Sequence, residues 1–500
     1  MTDSCPQKIT LPQFDNRFAQ RLSEHFFTRL APTPLNTPYL IDVNRTLAYA
    51  LGFNDAQIGS KEFVDVFSGN IVAETSQPVA AVYSGHQFGV WAGQLGDGRA
   101  ILLGELPLTD AAGIHKKNVE LQLKGSGLTP YSRMGDGRAV QRSSIREFLC
   151  SEAMAGLQIP TSRAFSLIGS NDYVMREQPE KTAVVTRVAE SFIRFGSFEH
   201  WYYNNQPEQL KQLADFVIEH YYAELAHTKN PYSALLEQII KRTASLMAHW
   251  QAVGFMHGVM NTDNMSILGI TLDYGPFGFM DAFDPQHICN HTDVRGRYAY
   301  YMQPRVGFWN CQALAQALYP LIDNLEEVQS HLALFQPHFE SVYQELFRKK
   351  LGLESIDAND PALIAEFLKL MAENHVDFTI CFRRLSEISK LNEKSDAAIR
   401  DLFIDINAID RWLEEYRMRL QPETCDDASR KLKMNASNPK YILRNYLAQI
   451  AIQKAELQDF SEIHRLHHIL RNPFDDQEEY NAYAEPPPDW AQTLEVSCSS

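Results

Sequence analysis

The feature that most constrains the fold of this 500-residue chain is a change of period near residue 190. Before it, apolar residues recur at every second position. NVELQLKG (118–125) sends Val119, Leu121 and Leu123 to one face and Glu120, Gln122 and Lys124 to the other, which is the period of a β-strand. RAILLGEL (99–106) and TAVVTRV (182–188) read as further strands, and SSIREFLCSEAMAGL (143–157) as an amphipathic helix between them. After residue 190 the period becomes helical. LLEQIIKRTASLMAHWQ (235–251) sets Leu236, Ile239, Ile240, Leu246, Met247 and Trp250 on one face. LIAEFLKLMAEN (363–374), AAIRDLFIDINAIDRWLEEYRMRL (397–420) and YILRNYLAQIAIQKAEL (441–457) continue as helices, and EPPPDW (485–490) as an extended tail. The order predicts an α+β chain of two lobes: an N-terminal extension over 1–75, a sheet lobe over 76–190, a helical lobe over 191–400, and a C-terminal helical extension with a tail over 401–500.

Composition narrows the function. A net charge of −16 argues against a general nucleic-acid binder, which needs clustered Lys and Arg, although a local phosphate site is compatible with it. No apolar run is long enough to span a membrane, and the first residues lack a secretory or transit layout. Seven Cys, dispersed and without a CxxC, suit a reducing compartment. The expectation is a cytoplasmic monomer.

Four stretches carry chemistry. YSGHQFGVWAGQLGDGRA (83–100) offers Gly96, Gly98 and Arg99, either a phosphate-binding loop or a plain Asp-Gly hairpin turn. GDGR recurs at 135–138 with Asp136 and Gly137. Lys124, at the end of its strand, either grips phosphates or is a solvated edge lysine. Glu147 either pairs with Lys124 or closes a capping box with Ser144. Arg187 and Arg194 are either a triphosphate clamp or members of surface ion pairs. In HGVMNTDNMSILGITLDYG (257–275), His257 and Asn264 keep the spacing of a protein-kinase catalytic loop, but Val259 stands where the kinase aspartate would be. Asn264 and Asp273 lie nine residues apart around an apolar stretch; a turn there would bring two oxygens over a hard cation such as Mg²⁺. DYG (273–275) takes the place of Asp-Phe-Gly, so strand Lys, helix Glu, loop Asn and DYG follow the kinase order.

The long stretches GHQFGVWAGQLGDGRA, QLKGSGLTPYSRMGDGRAVQRSSIREFL, HGVMNTDNMSILGITLDYGPFGFMDAFDP, NPKYILRNYLAQ and the terminal SCSS together resemble the selenoprotein O family of kinase-like protein adenylyltransferases, through almost the whole chain. The resemblance implies a protein-kinase-like fold and transfer of AMP from ATP to protein hydroxyls of Ser, Thr or Tyr, with ATP inverted relative to a kinase. It implies nucleotide contacts from Gly96, Gly98, Arg99, Lys124, Asp136, Gly137, Arg187, Arg194 and Asp273. It also implies a Mg²⁺ or Mn²⁺ on Asn264 and Asp273, Asp263 as proton acceptor, and Glu147 as partner of Lys124. Where some members carry selenocysteine, this chain has Cys498. Two rivals stand beside this reading: transfer of UMP with Mn²⁺, and a catalytically silent kinase-like ATP-binding scaffold. A conventional kinase with Asp263 as displaced base is a third, which Val259 disfavours.

Two clusters lie outside that scheme. HICNH (287–291) suggests a weak zinc motif or, if Cys289 is an exposed thiol facing Cys498 on the tail, a redox pair. His464 and His468 sit four apart on a helix, where surface positions are usual.

Overall fold

A computed structural model describes residues 11–109 and 116–494. The strand-rich half contains β1 (Phe27–Arg29), β2 (Tyr39–Val43), β3 (Val79–Ala81), β4 (Ser84–Gln87), β5 (Val90–Gln94), β6 (Ala100–Thr109), β7 (Lys116–Lys124), β8 (Ala139–Val140), β9 (Arg163–Met175) and β10 (Pro179–Ala189). Among the described residues, eight of these form one antiparallel sheet in the order β1-β3-β6-β7-β10-β9-β2, with β8 also paired to β10. β4 and β5 form a separate hairpin. The segment before residue 75 supplies an edge strand to each side of the sheet.

β7 lies at the centre, bonded to β6 on one side and β10 on the other, so that Lys124 faces Ala100 and Val185 in register. The alternation in NVELQLKG is present, but both faces are buried. Val119, Leu121 and Leu123 enter an apolar core with Phe63, Phe67 and Phe165, while Glu120, Gln122 and Lys124 are also nearly inaccessible. The expectation of a possible edge lysine therefore gives way to a central one. Period two reports which face a side chain takes, not whether that face meets water.

The helix Gln141–Gly156 crosses behind the sheet and buries Ile145, Phe148 and Leu149. It begins after Val140, so Ser144 is inside the helix rather than at its cap, and a Ser144–Glu147 capping box does not form. The second half is helical, led by Pro231–Val253, Gln303–Ile322 and Phe335–Leu351. The stretch expected as one helix over 397–420 is two, Ala397–Arg400 and Ile406–Leu420. Asp405 separates them: its carboxylate caps the N–H of Ala408 at 3.0 Å, and Asn374 accepts the N–H groups of Ile404 and Asp405. Late helices Asn445–Glu456 and Ser461–Leu470 return to the sheet region, sharing a core with Ile145, Phe148 and Leu149. EPPP (485–488) lies between two short 3-10 turns, the second of which begins at Asp489, and the Trp490 ring meets Tyr446 edge-on at 6.2 Å. No described helix is long and apolar enough to cross a membrane.

Candidate active site

A cavity of about 830 Å³ opens between the sheet and the first helical elements. Its wall includes Gly96, Gly98, Arg99, Lys124, Asp136, Gly137, Arg187, Arg194, Asp263 and Asp273. Residues separated by more than 170 positions in sequence thus share one space. Glu147 stands just behind the wall, and Asn264 next to Asp263.

The inner end is an ion cluster. Lys124 is 5% exposed, Arg187 and Arg194 each 3%, and Glu147 2%. Glu147 accepts from Lys124 Nζ through one oxygen and from Arg187 Nε through the other. Asp273 Oδ1 accepts from Arg187 Nη2 at 2.6 Å and from Lys124 Nζ at 3.2 Å. Burial pushes both carboxyls up, but the adjoining cations outweigh it. Arg187 and Lys124 hold Glu147 below its ordinary range, and Lys124, Arg187 and Arg194 hold Asp273 well below it. Burial lowers the Lys124 pKa, while Asp273 and Glu147 pull it back. Because both carboxylates that touch it are ionised, the ammonium form is the one these contacts hold. Arg187 and Arg194 are not members of surface pairs. Arg194 Nη1 donates to the Asp263 carbonyl at 2.7 Å, its guanidinium lies 5.0 Å from the Tyr83 ring centre, and its Nε is buried without an acceptor among the described residues. Three buried cations, Lys124, Arg187 and Arg194, thus gather around Glu147 and Asp273, with Asp97, Asp263 and a fourth cation, Arg99, on the same wall.

Both GDGR loops pack against the 127–132 segment that lies between them in sequence. Gly96 has φ 142°, and a Cβ there would fall 2.5 Å from the Tyr131 ring. Gly137 has φ 71°, and a Cβ there would fall 2.2 Å from the Gly127 carbonyl. The close approach that excludes side chains is thus loop against loop. Asp136 is gripped by both Arg176 nitrogens at 2.7 and 3.0 Å, and that hydrogen bonding lowers its pKa.

The catalytic-loop segment turns as its spacing suggests. Met265 and Thr271 bridge antiparallel, folding 265–272 back on itself between Asn264 and Asp273. Asn264 Nδ2 donates to the Val259 carbonyl at 3.0 Å, which turns the amide oxygen the other way. Asp263 is 8% exposed. Its Oδ2 accepts from Gln87 at 3.3 Å, while Oδ1 is a buried acceptor with no partner among the described residues. Burial raises its pKa to about 6 against the opposing pull of Arg194. His257 is buried, stacked on Trp250 at 5.3 Å, and burial lowers it to about 4, so the imidazole is neutral. The Asn264 amide oxygen and the ionised Asp273 carboxylate are donors of the kind a hard cation takes, with its other ligands drawn from phosphate and water.

Several wall residues carry no signal that the sequence reading used: Tyr83, Gln87, Asp97, Arg133 and Arg176. Asp97 is the centre of the first GDGR and accepts from the Ala81 N–H at 3.1 Å and Gln122 at 3.3 Å; the repeat of GDGR was the clue available. The HICNH segment does not gather. His287 and His291 are exposed, and no group of three or more His, Cys, Asp or Glu among the described residues is placed to hold a metal. Cys289 is buried at 8% rather than exposed, with its thiol donating to the Pro276 carbonyl at 2.8 Å; Cys498 lies outside the described residues. His464 Nε2 meets the Ile41 carbonyl at 2.8 Å.

The family model described as "Protein adenylyltransferase SelO" matches residues 9–471. The chain is similar to the "Protein nucleotidyltransferase YdiU" of Herminiimonas arsenicoxydans, 56% identical over 485 residues, which span 97% of this chain and 96% of the relative. It is similarly related to proteins of the same name from Burkholderia lata, 55% identical, and Burkholderia ambifaria, 54% identical, each over 96% of this chain and 94% of the relative. A match across nearly the whole chain places it, as a nucleotidyltransferase, in the protein adenylyltransferase SelO family.

Proposed function

We propose that this chain transfers AMP from ATP to Ser, Thr or Tyr hydroxyls of other proteins, in a kinase-like two-lobed fold that binds ATP inverted relative to a kinase. The two lobes would be 76–190 and 191–400, with extensions over 1–75 and 401–500. The observation that carries the reading is the convergence of Lys124, Arg187, Arg194, Asp263 and Asp273 on one cavity lined by both GDGR loops. A triphosphate brings more negative charge than any other part of ATP. The inner end of the cavity, where Lys124, Arg187 and Arg194 cluster, suits the β- and γ-phosphates, which leaves the α-phosphorus nearer Asp263.

In this arrangement Lys124, Arg187 and Arg194 fix the phosphates, and Glu147 fixes Lys124 and Arg187. Gly96, Gly98, Arg99, Asp136 and Gly137 contribute the loop walls. The Asp263 carboxylate accepts the proton of the incoming hydroxyl as the hydroxyl oxygen bonds to the α-phosphorus and pyrophosphate leaves. Val259 makes no such contribution, and catalysis rests mainly on positioning and charge. Asn264 and Asp273 would hold Mg²⁺ or Mn²⁺, which when bound neutralises charge on the phosphate oxygens. The setting proposed is cytoplasmic and the acting species a monomer.

The test is to incubate the chain with a protein extract and α-³²P-ATP or γ-³²P-ATP, with Mg²⁺ or Mn²⁺. Label in protein from the α form alone is expected. Label from the γ form would make it a kinase, and label from neither would support a silent scaffold. The broader word "nucleotidyltransferase" in the relatives' name keeps UTP as a second reading; α-³²P-UTP with Mn²⁺ labelling protein better than α-³²P-ATP would favour it.

A further inference from the structure

The β4–β5 hairpin covers the catalytic loop and reaches beyond the cavity. At one end, Gln87 holds Asp263 Oδ2 at 3.3 Å, and the His86 N–H donates to Thr262 Oγ1 at 2.8 Å. At the turn, the Phe88 N–H donates to Asn261 Oδ1 at 3.1 Å and to the Tyr298 hydroxyl at 3.0 Å. The next residue, Gly89, closes on Arg297: with φ 80°, a Cβ there would lie 2.9 Å from the guanidinium carbon.

Arg297 is a cation that the nucleotide chemistry does not use. It is half-buried, stands 4.9 Å over the Trp309 ring, and has its Nε buried with no acceptor among the described residues. It forms no ion pair among the described residues. Asp293, four residues earlier, is committed elsewhere: its oxygens accept the backbone N–H groups of Arg297 at 3.0 Å and Tyr298 at 2.7 Å. In a chain where 62 acidic residues face 46 Lys and Arg, a half-buried guanidinium without a carboxylate is conspicuous. Arg295 and Arg305 are exposed on the same segment. Gln87 and Gly89 belong to one tight turn, which therefore touches Asp263 through the first and Arg297 through the second.

We infer that Arg297, on its Trp309 platform, docks an acidic side chain of the protein substrate a short distance along the chain from the hydroxyl held at Asp263. The inference rests on the reading of the chain as a protein adenylyltransferase and specifies which substrates it takes. A guanidinium over an indole keeps a forked set of N–H donors, which suits a carboxylate.

The test uses fluorescein-labelled synthetic peptides with one Ser, Thr or Tyr and Glu, Ala or Lys at the flanking positions. Binding to the full chain is read by anisotropy, and transfer with α-³²P-ATP. Wild type is expected to bind Glu-flanked peptides about ten-fold tighter than Ala-flanked ones and Lys-flanked ones weakest. Arg297→Glu should reverse the order, and Arg297→Lys should keep most of it. Binding of a fluorescent ATP analogue, unchanged in all variants, checks that each folds. Equal binding of Glu- and Lys-flanked peptides by wild type overturns the inference, as does a preference that survives Arg297→Glu. A preference that follows residue 297 without any α-label transferred would leave the docking point standing and remove the adenylyltransferase reading; transfer that ignores flanking charge would do the opposite.

Discussion

Asp273→Ala is expected to reduce nucleotide transfer by roughly three orders of magnitude or more, the scale set by losing several kcal/mol of charge stabilisation at the reacting phosphates. The same substitution is expected to leave ATP affinity within a few-fold of wild type, or to improve it in the absence of divalent cation. The reason is the ion cluster. Without nucleotide, Asp273 occupies both Lys124 and Arg187. Removing it frees two buried cations for phosphate oxygens while depriving the site of its ionised cation ligand. Binding and turnover should therefore separate. Isothermal titration with an ATP analogue, run beside α-³²P transfer, reads both. Loss of binding together with turnover would show that Asp273 holds the fold of the cleft rather than its chemistry, and retained turnover would remove it from the site.

The second large effect concerns stability. Glu147 neutralises Lys124 and Arg187 in a place that water hardly reaches. Breaking a buried ion pair from one side strands the other charge, at a cost of about 3–5 kcal/mol. Glu147→Gln keeps the shape and removes the charge, so the unfolding free energy of the apo protein, followed in urea, should fall by about that amount. Adding Lys124→Met should recover part of the loss, because it removes one of the stranded cations. A residue that merely capped a helix would cost about 1 kcal/mol and show no dependence on Lys124. A loss of that size, unchanged by Lys124→Met, would contradict the central role given to this carboxylate.

Much of this was legible in the sequence, for identifiable reasons. The alternation in β7 and the apolar face of the helix Pro231–Val253 are local patterns that burial enforces, and both elements formed. What alternation could not show is that the polar row of β7 is also buried. Glu120, Gln122 and Lys124 face other polar groups instead of water, a choice made by strands and loops distant in sequence. The position of Glu147 was open because a capping box depends on where the helix begins, and the helix starts three residues before Ser144. The break before Ile406 follows from Asp405 and from Asn374, thirty-one residues away from Asp405. A pattern search sees a continuous helix there because the apolar spacing runs through the gap. The burial of Cys289 is not readable from its position after DYG, because the Pro276 carbonyl that takes its thiol lies across the following turn. Gln87 and Arg297 carried no signal at all: each has a role only through a hairpin turn that brings 87–89 onto 261–263 and 297.

Inverted binding of ATP is the central claim, and a crystal structure of the chain with a non-hydrolysable ATP analogue and Mg²⁺ tests it most directly. The expected result is the γ-phosphate at the inner end against Lys124, Arg187 and Arg194, with the α-phosphorus on the side of Asp263. An analogue lying the other way, with its γ-phosphate toward Asp263 and its base at the inner end, or bound away from Lys124 and Asp273 altogether, would contradict it.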